Sequence, residues 1–254
     1  MRKIHFILFI APLLPGLASC KKELTAQPSG AASFTIVNGL SGSDFLYTNF
    51  NGDKSANQYY IQMRTVNYGD TRFFNYYTGQ QDLGLYLPTD TGAGSKAALR
   101  LGFNLELNSI HTLFLAGTIQ DPDYLLTADQ LPYHLPADSV MGLRFINISK
   151  GSAPVSVNLA GQANGSEIGE LSYKSVSVFK NYPAGSAVSS YTFEFRDKAS
   201  GALLGTCVVD GINNDGSPAF PNLRRNRNYT IALLGAPGGN AANRVLIIDE
   251  APQT

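Results

Sequence analysis

Tryptophan is absent from this 254-residue chain, and it holds two cysteines, three histidines and three methionines. Only 15% of its residues are charged, against ~25% in average globular chains. Each scarcity excludes something. With 19 Lys and Arg against 19 Asp and Glu, there is no cationic excess for a nucleic-acid surface, which needs clustered Lys and Arg. Histidine is too scarce for much metal or triad chemistry. Of the three, His5 lies in an apolar N-terminal run, leaving His111 and His134. The chain lacks H-E-x-x-H, a cysteine pair and a G-x-S-x-G elbow. APGGN (236–240) is glycine-rich, yet no lysine follows to complete a phosphate loop. No cofactor is expected, and the chain is not read as an enzyme.

A long hydrophobic run is missing too. Residues 4–17 are apolar apart from His5 but broken by Pro12, Pro15 and Gly16, too short for the ~20 residues of a membrane-spanning helix. Arg2 and Lys3 before this run, and Ala18 and Ser19 after it, have the layout of an export leader. Leu17-Ala18-Ser19-Cys20 resembles a bacterial lipobox. That resemblance implies cleavage before Cys20 and lipidation of its thiol. At ~0.8 kcal/mol per buried methylene, two or three acyl chains hold durably where one does not. The expected location is therefore the cell envelope, as an outer-membrane lipoprotein of a Gram-negative bacterium. Removing residues 1–19 leaves 17 basic against 19 acidic side chains, and Cys207 without an intramolecular partner. Flanked by aliphatics in LLGTCVV, it reads as a packed small hydrophobe.

What the chain does have is Asn, Ser, Thr, Gly and Tyr between short apolar runs, a mixture suited to strands joined by turns. In LRLGFNLEL (99–107) every second residue is apolar, and YTFEFR (191–196) alternates likewise. A period of two predicts strands with one buried face. No segment sustains a helical period. After a tether over residues 20–31, two halves echo each other. FTIVNG (34–39) matches LRFINIS (143–149), with Asn38 on Asn147. YGDTRFFNYYTG matches YKSVSVFKNYPAG, with Tyr68 on Tyr173, Phe74 on Phe179 and Tyr76 on Asn181. HTLFLAG matches YTIALLG, with Thr112 on Thr230, His111 on Tyr229 and Gly117 on Gly235. DGINNDGSPAFPN (210–222) reads as a loop inserted in the second half. An ordered repeat of this kind predicts a duplicated domain. At ~100 residues and about seven strands, each copy has the size of a β-sandwich. The fold class is thus all-β, with two tandem β-sandwich domains over 32–136 and 137–254.

The RFIN opening strand (144–147), a strand ending YYTG (76–79) and the late YTIALLG strand (229–235) resemble the domain-of-unknown-function family 4397. The resemblance implies extracytoplasmic sandwiches, immunoglobulin-like or transthyretin-like, in two copies. It carries no catalytic or binding residue. The first copy departs from the pattern by placing Thr35 where the second has Arg144.

Candidate binding residues follow from side-chain chemistry. In RFFNYY (72–77), Arg72, Phe74 and Tyr76 share one face, and exposed rings stack on sugars or peptides. Arg224, Arg225 and Arg227 in RRNRN suit an anionic glycan or headgroup. Asp210, Asn213 and Asp215 are weak calcium candidates that fail the EF-hand spacing at both ends. Ser139, in Asp138-Ser139-Val140, resembles an acceptor for O-glycosylation. The expected function is a lipid-anchored, non-catalytic module binding a carbohydrate or an envelope protein. The alternatives are a subunit of a fimbria-like assembly and, least favoured, a hydrolase using Asp129, His134 and Asp138.

Overall fold

The computed structural model describes residues 30–50, 64–90, 94–235 and 244–250. Cys20 and residues 20–29 of the tether lie outside that set. Sixteen strands and no helix are formed among the described residues. The first eight are β1 (Ala31–Asn38), β2 (Phe45–Asn49), β3 (Arg64–Asn67), β4 (Thr71–Tyr77), β5 (Gly79–Tyr86), β6 (Leu99–Leu105), β7 (Ile110–Thr118) and β8 (Asp121–Ala128). The next eight are β9 (Val140–Asn147), β10 (Val155–Leu159), β11 (Ile168–Leu171), β12 (Lys180–Pro183), β13 (Tyr191–Asp197), β14 (Leu203–Val209), β15 (Asn228–Leu234) and β16 (Arg244–Asp249). Each half therefore has eight strands where about seven are expected from its length. β1 begins at Ala31, a residue read as tether from sequence.

Both halves repeat one topology. The first has sheets ordered β4-β1-β7-β8 and β3-β2-β5-β6; the second has β12-β9-β15-β16 and β11-β10-β13-β14. In each half the first and seventh strands run parallel and the remaining ladders are antiparallel. The registers match as well. Phe34 pairs with His111 and Leu143 with Tyr229, the partners that the repeat places on one another.

Alternation builds each core. Leu101, Phe103 and Leu105 of β6 are buried while Arg100, Gly102 and Asn104 are exposed, and Phe193 and Phe195 of β13 are fully buried. Leu107 departs from this. β6 stops at Leu105, the chain turns at Asn108 (φ 59°), and Leu107 is 59% exposed. Cys207 of β14 is packed in the second core, and burial pushes its thiol up to about 11. Four residues (106–109) join β6 to β7, whereas eighteen (210–227) join β14 to β15. The extra loop of the second copy falls there.

The duplicated asparagines hold the same corner in each half. Asn38 Nδ2 donates to Val66 O at 3.0 Å and its Oδ1 accepts from Leu40 N at 3.0 Å. Asn147 Nδ2 donates to Leu171 O at 3.2 Å and its Oδ1 accepts from Ser149 N at 3.0 Å. The backbone oxygens of Asn38 and Asn147 accept from Gly69 and Lys174, both at 2.7 Å. Those two residues have φ of 65° and 63°, a left-handed turn that glycine adopts freely and lysine adopts at a cost of ~1–2 kcal/mol.

A third apolar cluster joins the halves: Val37, Phe114 and Ala116 from the first with Ile146, Ile148, Ala232, Leu234 and Ile248 from the second. Val37 and Ile146 are repeat partners, as are Phe114 and Ala232, and Ala116 and Leu234. The same sheet face of each copy is thus turned toward the other, the pattern of an isologous interface. Its consequence is that β9 and β15 are buried on both faces.

Candidate functional site

At one end of the first sandwich an open cleft of about 570 Å³ lies between the turn 41–45, Tyr68 and residues 87–89. Its walls are fixed by the fold. Tyr68 N donates to Asp44 O at 2.8 Å, Ser41 N donates to Gly117 O at 3.0 Å, and Ser43 Oγ donates to Phe45 O at 2.7 Å. At this corner the first copy lacks one backbone bond that the second makes. In the second copy the ladder between β10 and β13 continues past Val155 and Asp197, and Lys198 N donates to Pro154 O at 3.0 Å. The matching pair in the first copy is Phe45 and Pro88. Proline has no N–H to give, so pairing of β2 with β5 stops at Tyr47 and Tyr86.

The aromatic candidates of β4 are placed differently from the sequence reading. Phe74 and Tyr76 are half-buried and pack against the core of the first sandwich. Phe50 stands edge-on to Phe74 at 5.1 Å and stacks on Tyr76 at 4.1 Å. Burial, with Tyr77 alongside, holds the Tyr76 hydroxyl above its usual range. The outward face of β4 carries Asn75 and Tyr77, the latter 59% exposed. The repeat alignment shifts by one residue here. Phe34 pairs with Phe74 and Leu143 with Lys180, so Tyr76 occupies the place of Tyr182 and not of Asn181. The additional residue in the second copy sits in the stretch 177–179, where Val178 points outward and the guanidinium of Arg144 lies 4.9 Å from the Phe179 ring centroid. Arg72, on the same strand, is half-buried opposite Ile36.

Arg224, Arg225 and Arg227 belong to the second sandwich and are held there. Arg224 Nε donates to Asp210 O at 3.1 Å and its guanidinium covers the Tyr229 ring at 4.9 Å. Arg225 Nε donates to Ala184 O at 3.2 Å, and Arg227 Nη1 meets Asp249 Oδ2 at 3.0 Å. No hydrogen bond or ring contact among the described residues brings them to Arg72, Phe74 or Tyr76. Within the inserted loop, Asp210 leans toward Arg224, Asp215 Oδ1 accepts from Ser217 N at 2.8 Å, and Asn213 is exposed. Among the described residues no group of three His, Cys, Asp or Glu side chains is spaced to hold a metal. Ser139 is half-buried with φ 46°, and its carbonyl accepts from Ala184 N at 2.7 Å.

Asp129, His134 and Asp138 do not form one site. His134 Nε2 lies 2.8 Å from Asn228 Oδ1, and Asn228 Nδ2 donates to Pro132 O at 2.8 Å. That bond pins the connection between halves on Gly142, where any Cβ would stand 2.1 Å from Asn228 Oδ1. Asp138 Oδ2 accepts from Leu135 N at 2.9 Å. Asp129 faces elsewhere, into a buried charge cluster that joins the halves. Arg144 Nη1 donates to Asp129 Oδ1 at 2.7 Å, and its Nη2 donates to Glu250 Oε1 at 3.0 Å. Its Nε donates to Thr230 Oγ1 at 2.6 Å. Thr112 Oγ1 donates to Asp129 Oδ2 at 2.7 Å, and the Thr230 hydroxyl donates to Glu250. Asp129 and Glu250 hold matching places after β8 and β16, so one arginine serves a carboxylate from each copy, and each carboxylate also accepts from its own copy's threonine. Burial works against the Arg144 charge, but its two carboxylates prevail and hold its pKa above the ordinary value. At the rim, Lys150 Nζ meets Asp121 at 2.7 Å, while Lys174 Nζ and Tyr173 Oη reach Asp123 at 2.5 and 2.9 Å.

No family model matches the sequence, and no curated protein matches it. Among solved structures, the chain is similar to CBMbc, a family 26 carbohydrate-binding module from Eubacterium rectale Amy13K solved with maltoheptaose. The identity is 11% and the TM-score 0.26, over 87% of this chain and 98% of that one. It is also similar, at 9% identity and a TM-score of 0.25, to a streptococcal virulence factor described as binding alpha-glucan, over 85% of this chain and 96% of that one.

Proposed function

We propose that the chain is a non-catalytic binding module of the Gram-negative cell envelope, carried at the outer membrane on a lipid at Cys20, with a carbohydrate or an envelope protein as its ligand. The supporting observation is the contrast between its buried charges and its open cleft. Asp129, Arg144 and Glu250 are committed to joining the halves, and His134 to fixing the connection between them. The cleft of the first sandwich offers rings, hydroxyls and one carboxylate on a braced rim, the few convergent polar groups in an apolar setting that small-ligand sites have. Purified residues 21–254 should bind saturably to at least one member of a panel of glycans and envelope proteins. Silence across both panels overturns the reading. For the anchor, Cys20→Ala should abolish incorporation of radiolabelled lipid and retention in the membrane fraction.

A further inference from the structure

We infer that the cleft between the 41–45 turn, Tyr68 and residues 87–89 takes a short neutral oligosaccharide. The inference rests on the binding-module reading and names its ligand class. At about 570 Å³ the cleft is within the ~300–1,000 Å³ of small-molecule sites. Phe45, Tyr68 and Pro88 supply ring surface, against which the C–H face of a pyranose packs. Ser43 and Thr89 bring hydroxyls, and Asp44 a solvent-exposed carboxylate that no ion pair engages among the described residues. A carboxylate accepts from two neighbouring sugar hydroxyls at once, and such charge-assisted bonds are short and strong.

The lining also argues against other ligands. It contains no lysine, arginine or histidine, so an anionic sugar, phosphate or headgroup would meet only Asp44 and be repelled. A simple cation would use Asp44 as an exposed ion pair, a contact of little worth, and leave the hydroxyls idle. The second copy supplies an internal control. There Asp44 is replaced by Ala153, Pro88 by Lys198 and Phe45 by Pro154, and the Lys198–Pro154 bond zips the corner.

The test is titration of isotope-labelled residues 21–254 with cello-, malto-, manno- and xylo-oligosaccharides, followed by amide shifts. At least one series should shift the amides of residues 41–45 and 87–89, with an affinity unchanged between low and high salt. Asp44→Ala, on the exposed rim, should weaken that binding at least ~10-fold. Pro88→Lys, which restores the missing donor, should abolish it. Sugar binding that both variants leave intact overturns this site but not the binding-module reading. Binding of an envelope protein with no response to any sugar overturns the ligand class alone. A salt-sensitive response to an alkylammonium ion in place of sugars overturns it as well. Silence toward sugars and proteins alike overturns both readings.

Discussion

Asn38 and Asn147 make the same corner bonds in the two halves, Asn147 adding one to Ser152 Oγ at 3.0 Å, whereas Thr35 and Arg144, at matching places three residues earlier, do not. The difference separates what a sandwich needs from what a pair of sandwiches needs. Each asparagine closes a corner inside its own copy and depends on nothing beyond it. Position 144 faces the other copy, beside two carboxylates that are themselves repeat partners. One guanidinium already satisfies both, and a second would bring a like charge into the same dry space. The asymmetry at 35 and 144 is thus the expected outcome of a symmetric interface holding one cation.

The largest effect should come from breaking that asymmetry. Arg144→Met leaves Asp129 and Glu250 buried without their cation, and losing one partner of a buried ionic group costs about 3–5 kcal/mol. Urea denaturation at neutral pH measures it. Adding Asp129→Asn and Glu250→Gln to the same chain should recover part of the loss, because the uncompensated charges are then gone. A loss below about 1 kcal/mol for Arg144→Met alone would show that the cluster does not hold the halves.

The next effect is smaller and should be at least as large in the second copy as in the first. Asn38→Ala leaves Val66 O and Leu40 N without their partner; Asn147→Ala does the same to Leu171 O and Ser149 N and also removes the bond to Ser152 Oγ. Stranded buried polar groups cost about 1–3 kcal/mol. Both variants should lower the urea midpoint, Asn147→Ala at least as much as Asn38→Ala. A loss confined to Asn38→Ala would mean that the matched bonds do not carry matched energies.

Why some of this is legible in sequence and some is not follows from range. β6 and β13 are legible because a period of two is a local signal, visible in seven residues. The repeat is legible because Asn38, Gly117 and their partners occupy turns that few residue types serve. The interface left a fainter mark: LFLA (113–116) and IALL (231–234) are apolar at consecutive positions, which signals strands buried on both faces. Arg144 stands out as a motif residue, but its carboxylates lie 15 and 106 positions away. The one-residue shift before β12 is hidden because Phe179 and Asn181 resemble aligned positions until the ladder register is known. The cleft is least legible, since its walls come from segments far apart in the chain.

The smallest effect sharpens a different contrast, between the carboxylate inside the joint and the one at its rim. Burial, first of all, pushes the Glu250 carboxyl above its ordinary value, and Asp129 adds to that; Arg144 and the Thr230 hydroxyl oppose it without prevailing. A raised folded-state pKa means that folding favours the protonated form. Its contribution to stability is fully present below the unfolded value near 4.5 and lost as pH rises through the raised folded one. Asp123 behaves in the opposite sense. Burial raises it, but bonds from Lys174, Tyr124 N and Tyr173 outweigh burial and hold it below the usual range. Its contribution is present above the unfolded value near 3.8 and lost as pH falls through the lowered one. Unfolding free energies of the parent and of Glu250→Gln, measured from acid to neutral pH, should therefore differ in the parent's favour most at the acid end. The same comparison with Asp123→Asn should favour the parent most at neutral pH and fade in acid. If both differences run the same way with pH, the buried carboxylate is no more shielded from water than the one at the rim, and the joint between the two copies is wet.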